Sequence, residues 1–127
     1  MRTIILTAVA VLGLIVSVSA SAQDLKKGLK AYKSGDYAAA LKEWQPLAES
    51  GHAGAQYNLG FNFVQGKGVP KDLVLAYFWF DLAARQGRGI AGQLRDAISK
   101  KMTEEQVADA QERVRVWLAA REKPVSR

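Results

Sequence analysis

The sequence predicts an all-α chain of stacked antiparallel helix hairpins, closed by a C-terminal capping helix. Three observations lead there. Apolar residues recur at helical spacing, and no segment shows the strict alternation of a half-buried strand. Helix start and stop residues fall at short, regular intervals. The chain also repeats itself. A shift of 36 residues brings Asp36 onto Asp72, Ala40 onto Ala76, Trp44 onto Phe80, Ala48 onto Ala84, Gly51 onto Gly87 and Ala55 onto Ala91. Such a period marks units that cannot bury their own apolar face and so stack on a neighbour.

The first 22 of the 127 residues read as a signal peptide. Arg2 precedes an apolar run from Ile4 to Val18, and Ala20-Ser21-Ala22 supplies a small-x-small cleavage pattern. The run is shorter than the roughly 20 apolar residues that cross a bilayer, and no later segment of the mature chain resembles a transmembrane span. The expected location is therefore the bacterial periplasm or the medium. Removing the leader takes Arg2 alone among the charged residues. That leaves 17 basic against 12 acidic residues, a net charge of +5. The chain has no cysteine, so packing alone must hold the domain at 23–122 together.

Within that domain a first hairpin spans about 25–51. Leu25, Leu29 and Tyr32 mark its first helix. Ser34-Gly35-Asp36 forms its turn, and a second helix runs from Tyr37 to about Ser50, with Pro46 expected to kink it. A second hairpin spans 53–87. It comprises a helix at 53–65, the turn Gly66-Lys67-Gly68-Val69-Pro70-Lys71, and a helix capped by Asp72 that ends at Arg85. That fourth helix is apolar nearly all round, with a strip near Asp81 and Arg85 left for water, so neighbours must cover most of it. Helices over about 90–122 follow, the first from Ile90 to Lys100. Thr103 and Gln106 form a capping box for the last, Met102 and Val107 form a hydrophobic staple, and Val107, Ala110, Val114, Trp117 and Leu118 make its apolar stripe. The polar tail 123–127 is expected to fray.

The stretch Ala55-Gln56-Tyr57-Asn58-Leu59-Gly60, then Phe63, the turn Gly66 to Lys71 with Asp72, and Ala76, Trp79, Phe80, Ala83, Ala84 and Gly87 resemble the Sel-one-like repeats, relatives of the tetratricopeptide repeat. The first hairpin resembles them less closely, its short turn being nearer a plain tetratricopeptide unit. The resemblance implies a right-handed α-solenoid that serves as an adaptor surface for proteins. Some bacterial relatives are cysteine-rich and linked to the cell wall; the lack of cysteine sets this chain apart from them.

Little in the sequence supports catalysis. His52 is the sole histidine and reads as an exposed loop residue, with no cysteine to join it at a metal. Gly66-Lys67-Gly68 lacks the spacing and the following Ser or Thr of a phosphate loop. No serine lies in a nucleophile elbow. The expectation is a non-enzyme with no cofactor and no metal.

Lys26, Lys27, Lys30 and Lys33 concentrate charge on the first helix, and Arg113, Arg115 and Arg121 on the last. A solvated face accounts for this, because no basic–aromatic interleaving or groove-reading motif accompanies it, and no nucleic acid is expected. The alternative is attraction to an anionic envelope component, a lipid head group or a glycan. The expected partner is another protein of the cell envelope. The resemblance places the binding surface on the first helix of the second hairpin. There Ala55, Leu59, Gly60 and Phe63 occupy structural positions, and Tyr57, Phe61, Val64 and Gln65 remain for a groove. The competing reading is that Tyr57 and Phe61 pack against the first hairpin.

Overall fold

The computed structural model describes residues 21–122; the expected leader, apart from its last two residues, and the expected frayed tail lie outside them. Among the described residues six helices follow one another: α1 (21–33), α2 (Tyr37–Glu49), α3 (Ala53–Gln65), α4 (Leu73–Arg85), α5 (Gly89–Ser99) and α6 (Glu104–Arg121). The described residues contain no strand, and the all-α repeat class read from the sequence holds. Within the described residues α1 is helical from Ser21, four residues ahead of Leu25.

Local chemistry sets most of the boundaries. The Asp36 carboxylate accepts the Ala39 N–H at 3.1 Å, and Asp72 accepts that of Leu75 at 3.0 Å. Thr103 Oγ1 accepts the Gln106 N–H at 3.1 Å, and Gln106 Oε1 accepts the Thr103 N–H at 2.9 Å, so the capping box is complete. Met102 and Val107 pack against one cluster beside it. α2 runs through Pro46 to Glu49.

His52 corrects the exposed-loop reading. It is half-buried at the N-terminus of α3, where its Nδ1 accepts the Ala55 N–H at 3.2 Å. An imidazole nitrogen there satisfies a donor that a Ser or Asp would ordinarily satisfy.

α4 is the centre of the fold, packed against α3, α5 and α6, while α2 packs against α3. One apolar cluster joins Trp44, Leu59, Phe78, Trp79, Leu82 and Val114; a second joins Tyr77, Phe80, Ala91, Ile98 and Ala110. α4 contributes to both, as its nearly continuous apolar surface requires. Ala110 and Val114 of α6 are buried, with Trp117 and Leu118 half-buried beside the first cluster, so α6 covers one side of α4.

Asp81 departs from the solvent strip expected on α4. Only 5% of it is exposed. One carboxylate oxygen accepts from Arg85 Nε at 2.8 Å and the other from Arg95 Nη1 on α5. A buried carboxylate needs such partners. Hydrogen bonding to Asp96 raises the Arg95 pKa above its ordinary value; burial opposes the rise, and the bond to Asp81 adds to it. The pair ties α5 onto α4.

The internal period is visible in three dimensions. Ala40 and Ala76 are fully buried, as are Ala55 and Ala91, and Trp44 and Phe80 are nearly so. Ala84 is only half-buried where Ala48 is buried. A second offset, of 32 residues, relates the first helices of the two hairpins. A Cβ on Gly28 would lie 2.2 Å from Trp44 Nε1, and one on Gly60 would lie 2.5 Å from the Phe80 ring. Each hairpin thus seats an aromatic ring of its second helix directly on a glycine of its first.

Candidate functional site

The spacing of α1 and α3 leaves a groove between them. Towards the C-terminal ends it is tied by a hydrogen bond from Tyr32 Oη to Gln65 Oε1 at 2.8 Å. Lys67, from the α3–α4 turn, lies over the rings of Tyr32 and Tyr37 at 5.3 and 5.2 Å. Two cavities occupy the groove beyond this tie. The first, of about 100 Å³, is lined by Leu29, Tyr32, Trp44, Asn58, Phe61 and Asn62. The second, of about 210 Å³, shares Leu29 and Asn58 with it and extends to Leu25, Lys26, Gly54, Tyr57 and Arg88.

The four residues expected to form the groove are placed differently from one another. Tyr57 and Phe61 are half-buried and line the second and first cavity respectively. Their rings meet edge-on at 5.0 Å, and both lean on Phe80 of α4, at 6.1 and 5.4 Å. The same two rings therefore wall the groove and cover the core. Val64 packs against the second apolar cluster, and Gln65 is exposed and holds Tyr32. Neither lines either of these two cavities. Sequence reasoning missed Asn58, Asn62, Leu29 and Arg88. The signal for the first two was a pair of carboxamides four residues apart, which share a helix face.

Electrostatically the groove is one-sided. Lys26 and Arg88 line it and no acidic side chain does. Arg88 sits over the Tyr57 ring at 5.3 Å, its guanidinium beside Gly54. The arginines of α6 are spent differently, in ion pairs and contacts on a solvated face. Arg113 pairs with Asp109 at 3.1 Å and Arg115 with Glu112 at 2.6 Å. Hydrogen bonding between the latter two lowers the Glu112 pKa and raises that of Arg115. Arg121 lies over Trp117 at 3.2 Å and donates to the Glu49 carbonyl.

On the other side of α4 a cavity of about 400 Å³ opens between Leu75, Phe78, Val116 and Trp117, rimmed by Glu112 and Arg113. Among the described residues no cluster of His, Cys, Asp and Glu could hold a metal ion, and no helix is long and apolar enough to cross a membrane.

Paired antiparallel helices, a repeated ring-on-glycine contact and a groove between first helices define an α-helical repeat protein. More specifically, residues 53–87 match the family model of the Sel1 repeat, so the second hairpin is a Sel1-like repeat, a unit that generally mediates protein–protein interaction. Two curated relatives, the DAP3-binding cell death enhancer 1 of Rattus norvegicus and that of Mus musculus, are each 44% identical over 46 residues. That match covers 36% of this chain and 9% of either relative's length, so the likeness is confined to a small part of those proteins. No solved structure matches the chain.

Proposed function

We propose that this chain is an exported interaction module that receives a segment of another cell-envelope protein in the groove between α1 and α3. The observation that carries the reading is the pair Tyr57 and Phe61, two aromatic rings that wall an open groove instead of closing it. Aromatic anchors in such positions dominate interface energies, with truncation costing about 2 kcal/mol or more. The relatives' name describes a DAP3-binding protein, which agrees with an interaction role and leaves this chain's partner open. Export rests on the leader-like first 22 residues.

The test is capture from an envelope extract by the immobilised chain. Tyr57→Ala with Phe61→Ala should remove the captured protein. Because both rings also touch Phe80, Asn58→Glu serves as a second variant: it alters the groove wall without removing a ring. Capture unchanged in both folded variants would place the interaction elsewhere. Capture that instead disappears as salt rises, with charged lipid or glycan as the retained species, would favour the exposed lysines of α1. Exposed charges are screened within about 10 Å at 0.1 M salt.

A further inference from the structure

α3 buries two carboxamide side chains, Gln56 and Asn62, and both are completely shielded from solvent. Gln56 is satisfied twice. Its Nε2 donates to the Ala48 carbonyl at 3.2 Å, and its Oε1 accepts from Gln86 Nε2 at 2.8 Å. Asn62 differs: neither its Nδ2 nor its Oδ1 has a hydrogen-bond partner. Buried polar atoms are almost always paired, and one side chain with donor and acceptor both unmatched asks what would match them. Asn62 lines the smaller cavity of the groove, among the aromatic residues Tyr32, Trp44 and Phe61, with its amide atoms shielded behind the cavity wall, so that an occupant reaches them by parting that wall.

We infer that this cavity is a specificity pocket for a carboxamide side chain, Gln or Asn, carried by an acidic segment of the partner. The inference rests on the proposal that the groove binds protein. A carboxamide returns an acceptor to Nδ2 and a donor to Oδ1 in one plane. A carboxylate would set an acceptor against Oδ1, an ammonium would leave Nδ2 unmatched, and an alkyl chain would match neither. The cavity of about 100 Å³ admits a side chain and not a length of backbone.

The acidic character follows from the other end. Lys26 and Arg88 line the adjoining cavity without an acidic neighbour among its lining residues. Eight residues of α3 separate Asn62 from Gly54, roughly 12 Å at 1.5 Å per residue. An extended peptide at about 3.3 Å per residue covers that distance in about four residues. The fitting motif is thus a carboxamide residue with an Asp or Glu about four positions away.

The experiment uses fluorescein-labelled nonapeptide pools with two fixed positions four apart and the others degenerate. The fixed pairs are Gln/Glu, Leu/Glu and Gln/Lys, and binding to the full chain is read by fluorescence anisotropy. The Gln/Glu pool, in whichever order of the two residues binds better, should bind at least about tenfold tighter than either control. Asn62→Leu should erase the Gln-over-Leu preference and keep the preference for Glu. Arg88→Glu should do the reverse. Equal binding of Gln and Leu pools to the unaltered chain overturns the inference even if no variant folds, as does the absence of binding by every pool. If the pools fail while Tyr57→Ala with Phe61→Ala still loses its captured protein, the groove remains the interaction surface and only the ligand chemistry assigned to it is wrong. If both fail, the groove itself is wrong.

Discussion

The two hairpins solve the same packing problem, and they differ in what surrounds the solution. In each, a glycine of the first helix lies under a ring of the second: Gly28 under Trp44, Gly60 under Phe80. Phe80 is enclosed on further sides by Tyr57 and Phe61, and its helix is packed by α3, α5 and α6. Trp44 is held by Tyr32 at 5.8 Å and by a hydrogen bond from its Nε1 to the Leu25 carbonyl at 3.2 Å. Both of those partners belong to α1, at the edge of the described stack. The turns differ as well. The first, Ser34-Gly35-Asp36, leaves open space around Gly35. The second is longer and lies back on the first hairpin, where a Cβ on Gly68 would come 2.7 Å from Leu41 Cδ1. Gly68 has φ of 75°, so absence of a side chain serves both the backbone conformation and the close approach. The repeat pattern specifies the shared contact, and position in the stack decides which copy is left open enough to carry a groove.

The largest effect that would break this comparison concerns the two rings. Phe80→Ala should cost about 3–5 kcal/mol, the range for emptying an aromatic site in a core. It should lower protection from hydrogen exchange throughout the molecule. Trp44→Ala should act locally, with amides of α1 losing protection while those of α3 and α4 keep theirs. Denaturant melts combined with exchange separate the two outcomes. Equal global losses would show that α1 is as much a part of the core as α4.

Smaller shifts are expected at the glycines. Gly60→Ala should cost about 1–3 kcal/mol, because the Phe80 ring it meets has nowhere to move. Gly28→Ala should cost less, although its Cβ would lie nearer its ring, because α1 can shift outwards as a unit. A Gly28→Ala melt lower than that of Gly60→Ala would reverse the order and the explanation with it.

Much of this fold was legible in the residues, for identifiable reasons. Asp36, Asp72 and Thr103 are local signals, and each caps the helix it was expected to cap. The 36-residue period found the second helices because the chain from Asp36 to Ala55 and from Asp72 to Ala91 has equal length. It overlooked the pairing of Gly28 with Gly60, since the longer second turn changes the offset to 32. Asp81 was misplaced because a charged residue on an apolar helix is ordinarily read as facing water. Its partner Arg95 lies 14 residues away on another helix, where no local pattern reveals it. The groove was half legible. Tyr57 and Phe61 could be found from their helix face, whereas Asn62, Leu29 and Arg88 come together only through the stacking of α1, α3 and the α4–α5 turn.

The smallest expected effect tests whether the second turn binds the two hairpins together. Hydrogen bonding to Tyr32, and then to Tyr37, raises the Lys67 pKa above the ordinary lysine value of 10.5. A group whose folded pKa is raised contributes stability that is complete below its unfolded pKa and disappears as pH rises through the folded one. Lys67→Met keeps a chain of similar length over the two rings and removes the charge. The difference in melting temperature between the unaltered protein and Lys67→Met should therefore be constant below about pH 9 and shrink above the ordinary lysine pKa. The ammonium is solvent-facing, so the difference should be small at every pH and should diminish with added salt. A difference that grows with pH would have the wrong sign for a raised lysine. It would mean that the turn is held by the packing of Gly68 against Leu41 and Tyr37, with the ammonium merely lying above the rings.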